Sequence, residues 1–164
     1  MIRKMQTTDI PRVAEIIVYS WRSTFRHILT DATLFNKLSV TETTARLKLE
    51  LAIDGNSKHV YDDGIVKACF SAGPYKGSDI PNALEVWEVY VDPFFQRQNI
   101  GEKMMHYSVK LAEAGGFDEI VAITYAENKI SRPFYEKLGF MTNGEETYST
   151  RWGANIVRYA KTLS

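Results

Sequence analysis

Apolar residues alternate with polar ones along some runs of this chain and recur every three or four positions along others. That change of period marks out its elements. Residues 2–5 alternate and predict a short strand. Thr7, Thr8 and Asp9 offer capping oxygens, and Pro11 suits a first helical turn, so a helix is expected through Val13, Ile16, Ile17, Ser20 and Trp21. Phe25, Ile28 and Leu29 either prolong it or open a loop, and Leu34 and Leu38 hint at a short helical turn. A second amphipathic helix is expected over 41–52. Thr41 or Thr43 lies near its cap, Leu47, Leu51 and Ala52 face inward, and Asp54, Gly55 and Asn56 end it.

Residues 59–61 and 65–72 flank Asp62, Asp63 and Gly64 as a β-hairpin. A loop over 73–82 leads to a long strand over 83–91, with Leu84, Val86, Val89 and Val91 as its apolar members. A helix over 101–114 carries Met104, Met105, Ser108, Leu111 and Ala112 on one stripe and stops at Gly115 and Gly116. A strand over 119–125, a short helix over 131–138 closed by Gly139, and a final region with strand character ending in 156–160 complete the order. The pattern implies an α/β chain built on a mixed sheet, and with no repeat or linker one domain over 1–164 is expected.

Composition narrows the function. The chain has 164 residues, 45% of them hydrophobic, so a core needs neither metals nor disulfides. Twenty basic residues balance twenty acidic ones and no Lys/Arg run appears, which argues against nucleic-acid binding. Cys69, the single cysteine, lies in an apolar run and reads as a core residue; one thiol makes no internal disulfide and fits a reducing compartment. The first eight residues lack the apolar stretch of a signal peptide, and no window suits a membrane span, so a soluble, cytoplasmic protein without a membrane partner is expected. His27 and His59 have no ligand spacing, and His106 falls on the exposed side of its helix, so no metal is expected.

Two segments carry candidate chemistry. Over 89–105 an apolar strand ends at Pro93, a polar turn follows, and a helix begins near Gly101. Such a turn brings free backbone N–H groups and a helix N-terminus to one point, which suits a phosphate or pyrophosphate. Gly101 has no side chain to block an anion, Asn99 tolerates the left-handed backbone, and Arg97 adds a charge. An ordinary strand–turn–helix connection is the alternative. Over 128–140, Asn128 follows a strand and can cap the next helix or bind another amide, while Ser131 and Tyr135 share a helix face. Tyr135 is either a half-buried core aromatic or a proton donor to a leaving thiolate.

Together the two segments resemble the GNAT superfamily of acyl-CoA-dependent N-acyltransferases. The likeness rests on the strand–proline–Gln/Arg-rich turn–glycine–helix run of 89–105 and on the Asn…Ser…Phe-Tyr-Glu-Lys-Leu-Gly-Phe run of 128–140. It implies a mixed, mostly antiparallel central sheet flanked by helices. It also implies acetyl-CoA as co-substrate and transfer of an acetyl group to a primary amine, on a small molecule or a peptide N-terminus, by direct attack in a ternary complex. A non-catalytic acyl-CoA-binding regulatory module on the same fold is the alternative.

Within that resemblance, backbone groups of Val89, Tyr90 and Val91 would pair with the pantetheine arm, one N–H serving as an oxyanion site. The backbone of Gln96, Arg97, Gln98, Asn99, Ile100 and Gly101 would hold the pyrophosphate, although the family usually has glycine where Asn99 stands. Asn128 and Ser131 would flank the pantetheine, and Tyr135 would be the general acid. Glu88 is the candidate base, or else, like Glu85, a polar strand residue. Glu127 reads as solvated. Tyr19, Trp21 and Phe25 form either core or the aromatic wall of an acceptor pocket, and Arg22 and Arg26 either serve an anionic acceptor or face solvent. The region 140–164 could join a homodimer through a terminal strand.

Overall fold

The computed structural model describes residues 1–53 and 57–163; Asp54, Gly55 and Asn56, expected to end the second helix, lie outside the described residues, as does Ser164. Seven strands form one sheet in the order β1-β2-β3-β4-β5-β7-β6. They are β1 (Ile2–Lys4), β2 (Lys58–Asp62), β3 (Val66–Pro74), β4 (Ala83–Val91), β5 (Glu119–Tyr125), β6 (Glu146–Ser149) and β7 (Ala154–Thr162). The helices are α1 (Ile10–Thr24), α2 (Val40–Ile53), α3 (Ile100–Ala114) and α4 (Ser131–Lys137). β4 and β5 run parallel, as a helical crossover between them requires, while β1–β2, β2–β3, β5–β7 and β6–β7 are antiparallel. The sheet is therefore mixed and mostly antiparallel.

The chain divides into two compact units. The first comprises Met1–Ser71 and Glu88–Tyr107. Its core gathers Met5, Ile10, Val13, Ala14, Ile16 and Ile17 with Leu47, Val60 and Cys69. The α1 residues recur at helical spacing, and each large side chain sealed here contributes roughly 1.5–3 kcal/mol. Leu51 packs on this core, but Ala52, expected inward, is exposed, because α2 turns it past the apolar stripe. The cap of α2 is Ser39 rather than Thr41 or Thr43: its hydroxyl accepts the Glu42 N–H at 3.1 Å. α1 ends at Thr24, and Leu34 is buried in a six-residue π-helical turn, Ala32–Lys37. Asp9 caps no helix N–H at α1; its carboxylate binds Arg3 and the Gln6 N–H instead.

The second unit comprises Ala72–Trp87 and Ser108–Ser164. Here Ile120, Val121 and Ala122 of β5 are fully buried, as their unbroken apolar run requires of a central strand. β3 reaches Gly73 and Pro74, two residues expected in the loop, and the indole of Trp87 lies against Gly73 so closely that a Cβ there would come within 2.2 Å of it. β7 is longer than the sequence pattern implied, and pairs with β5 from Ile156 through Thr162. No helix among the described residues is long and apolar enough to cross a membrane.

Candidate active site

The turn after β4 belongs to the first unit and is held at both ends. Asp92 is buried; its carboxylate accepts the Phe94 N–H at 2.8 Å and the Arg12 guanidinium at 2.5 Å, and its own N–H donates to the Lys67 carbonyl. Ile100 is buried at the other end, in the first turn of α3. Between these anchors Gln96, Arg97, Gln98 and Asn99 are all exposed. Arg97 and Asn99 have φ of 63° and 58°, so the left-handed backbone expected at Asn99 is present, and Arg97 shares it. Gly101 does not supply it, since it lies inside α3. The Asn99 carbonyl accepts the Lys103 N–H at 3.1 Å, so the first turn of α3 opens directly from this loop. Alternate left-handed residues ahead of a helix start turn successive N–H groups toward one side, the arrangement that binds anions.

β4 also changes neighbours along its length. Its ladder with β5 covers Ala83–Val86, while the strand itself runs on to Val91. Val89, Tyr90 and Val91 lie beyond that ladder and are half-buried. The Val91 carbonyl is taken by the Ser20 hydroxyl at 3.1 Å and the Gln96 amide at 3.4 Å. Trp21 donates its indole N–H to the Tyr90 hydroxyl at 2.8 Å and stacks edge-on against Phe25, with centroids 5.0 Å apart. Trp21 is half-buried and Phe25 buried, whereas Tyr19 is exposed and stands apart from this pair. Arg22 clasps the Leu34 and Leu38 carbonyls and lies over the Phe35 ring, so it holds the turn after α1; Arg26 is exposed.

Glu88 sits in a polar cluster the sequence did not reveal. Its Oε1 accepts the Ser71 hydroxyl at 3.0 Å and forms an ion pair with Lys58. Lys58 and Ser71 face each other across β2 and β3, and both are buried. Burial pulls the Lys58 ammonium below its usual range. The other β4 carboxylate, Glu85, belongs to the second unit; burial raises its pKa, and a hydrogen bond from Trp87 opposes that shift.

In the second unit Asn128 closes the start of α4. Its Oδ1 accepts the N–H groups of Ile130 (3.2 Å) and Ser131 (3.0 Å), and its Nδ2 donates to the hydroxyls of Thr124 (3.0 Å) and Ser131 (2.6 Å). Both lone-pair directions and both amide hydrogens are thus engaged. The Ser131 hydroxyl accepts there and keeps its own proton to donate. Tyr135 packs its ring against Phe140 and Tyr159, at 5.8 and 5.5 Å between centroids. Burial pushes its phenol up to about 12. None of the described residues hydrogen-bonds that hydroxyl. α4 is fixed to β7 by Tyr159 donating to Glu136 and by Lys161 donating to the Leu138 carbonyl.

No cluster of metal-ligating side chains occurs among the described residues. Cys69 is buried and its thiol is pushed up to about 11, so it is not a nucleophile. Glu127 is exposed.

Known proteins share this architecture. The structure of the PaiA N-acetyltransferase from Thermoplasma acidophilum, in complex with coenzyme A, is similar with a TM-score of 0.72 and 18% identity, over 96% of each chain. That of yncA from Salmonella typhimurium, with its cofactor acetyl-CoA, gives 0.70 and 19% over 100% of this chain and 94% of the other. In sequence, phosphinothricin N-acetyltransferase of Streptomyces viridochromogenes is 30% identical over 82 residues, which are 50% of this chain and 45% of that protein, so the chain matches less than half the length of this relative. The profile of the Acetyltransferase (GNAT) family matches residues 21–140, nearly three quarters of the length, and the chain belongs to that family.

Proposed function

We propose that this protein transfers the acetyl group of acetyl-CoA to a primary amine, by direct attack while both substrates are bound, with residues 1–164 acting as one acyltransferase domain. The observation that carries the proposal is the turn between Asp92 and Ile100: anchored at both ends, exposed between, with two left-handed residues ahead of a 15-residue helix. A pyrophosphate suits it, because the N–H groups are preorganised and Arg97 adds a counter-charge. The coenzyme in the PaiA and yncA structures supports the same reading.

The residues then divide the work. The backbone of Gln96, Arg97, Gln98, Asn99, Ile100 and Gly101 binds the pyrophosphate. Val89, Tyr90 and Val91 offer strand edge to the pantetheine arm, and an N–H there stabilises the negative charge that grows on the thioester oxygen. Asn128 holds the α4 start while the Ser131 hydroxyl donates to the ligand. Glu88 takes the proton of the attacking amine, and Trp21 and Phe25 line the acceptor side.

Tyr135 faces the leaving sulfur with its proton in place. A phenol pushed up to about 12 is a much weaker acid than an ordinary thiol near 8.5. Its role is therefore to hydrogen-bond the sulfur as charge builds, with the proton crossing as the carbon–sulfur bond breaks. Glu85 is the second candidate base, favoured by the upward shift that burial gives it.

The test is turnover of acetyl-CoA, followed by thiol release, against small amines, amino acids, polyamines and peptides. Saturable release with at least one amine supports the enzyme. Coenzyme binding without release from any of them favours the non-catalytic module.

A further inference from the structure

Beyond the proposed roles lies the polar cluster beneath Glu88. Lys58 on β2, Ser71 on β3 and Glu88 on β4 form a chain across three strands: the Lys58 ammonium reaches the Ser71 hydroxyl at 3.4 Å, and that hydroxyl donates to Glu88 Oε1 at 3.0 Å. The ammonium also pairs directly with the same oxygen. Lys58 is only 5% exposed and Ser71 likewise. Burying a lysine is costly, and hydrophobic residues of similar volume often serve stability as well or better. A buried lysine fixed on one oxygen of a carboxylate does what packing does not: it sets the orientation and charge of that carboxylate.

We propose that Lys58, through its ion pair and through Ser71, is the positioning residue for Glu88: it pins Oε1, keeps the carboxylate ionised at neutral pH, and leaves Oε2 to receive a proton. The inference rests on the reading of Glu88 as the base and adds the group that prepares it. The remaining titratable groups acting on Lys58 are Cys69 on β3 and Glu50 and Arg46 on α2. The thiol stays neutral, and the two α2 charges pair with each other, so neither replaces Lys58 as Glu88's cation.

Two readouts separate this inference from the reading beneath it. The first is a carbon-13 NMR titration of the Glu88 side-chain carboxyl, assigned by its loss in Glu88→Gln. The readout is the shift of its midpoint from that of the unaltered protein. In Lys58→Met it rises by about one to three units, in Ser71→Ala it rises less, and in Lys58→Arg, which keeps the charge, it stays where it was. The smaller Ser71→Ala and Lys58→Arg changes keep the test open if Lys58→Met does not fold. A midpoint that moves in neither Lys58→Met nor Ser71→Ala overturns the positioning role. The second readout is the acid limb of the pH–rate profile with acetyl-CoA and an amine that turns over. A limb that follows the NMR midpoint supports the whole scheme. A limb that stays fixed while the midpoint moves removes Glu88 as base and with it Lys58's catalytic relevance, leaving only the electrostatic pairing.

Discussion

Tyr135 combines two properties at one residue: a ring packed among Phe140 and Tyr159 and a hydroxyl that no described residue hydrogen-bonds. Replacing it with Phe removes one oxygen and leaves the packing. Turnover should fall about a hundredfold, the low end of proton-transfer contributions, with coenzyme affinity within about twofold of the original; an unchanged kcat in steady-state assays removes the role. The two β4 carboxylates separate in the same assay. Glu88→Gln should depress kcat/KM severalfold more than Glu85→Gln if Glu88 is the base, and the reverse order assigns the proton to Glu85. His59 reports on stability instead. It stacks on Phe70 at 4.9 Å and lies 5.5 Å from Tyr107, and burial lowers its pKa from 6.5. The unfolded chain then binds a proton that the folded one resists, so folding stability is lost as pH falls below about 6.5 toward the folded value. Urea unfolding should show that decline, and His59→Phe should flatten it.

Elements differed in how openly the sequence declared them. β4 and β5 have the bounds their patterns predict, because an apolar strand closed by Pro93 and another closed by polar residues leave little choice. The left-handed Asn99 was legible too, since its short amide tolerates that backbone. What stayed hidden depends on partners distant in the chain. Nothing in the sequence marks Lys58 until Glu88, two strands away, is brought beside it. Arg22 reads as either a ligand for an anionic acceptor or a solvated residue until the π-helical turn returns to present the Leu34 and Leu38 carbonyls. Asp92 reads as a turn former, yet it joins α1 to the loop through Arg12. Asp92→Ala removes a cap worth about 1 kcal/mol and leaves Arg12 without its buried partner. Arg12 keeps Glu15 and the Val66 carbonyl, so the expected result is a loss of about 1–2 kcal/mol in urea unfolding and at least tenfold weaker coenzyme binding. Normal binding in this variant would show that the loop keeps its shape without that anchor.

At the scale of the whole molecule, the candidate chemistry falls on three segments: β4, the turn from it into α3, and the start of α4 after β5. Coenzyme bound to the folded chain alone should raise its midpoint of thermal unfolding as concentration increases. The most direct measurement is titration calorimetry of the purified protein with coenzyme A, repeated with Arg97→Glu, which sets a negative charge into the turn proposed to hold the pyrophosphate. The account predicts saturable heat at one site per chain for the original protein and at least tenfold weaker binding for the variant. No saturable heat with the original protein, or equal affinity in both, would contradict it.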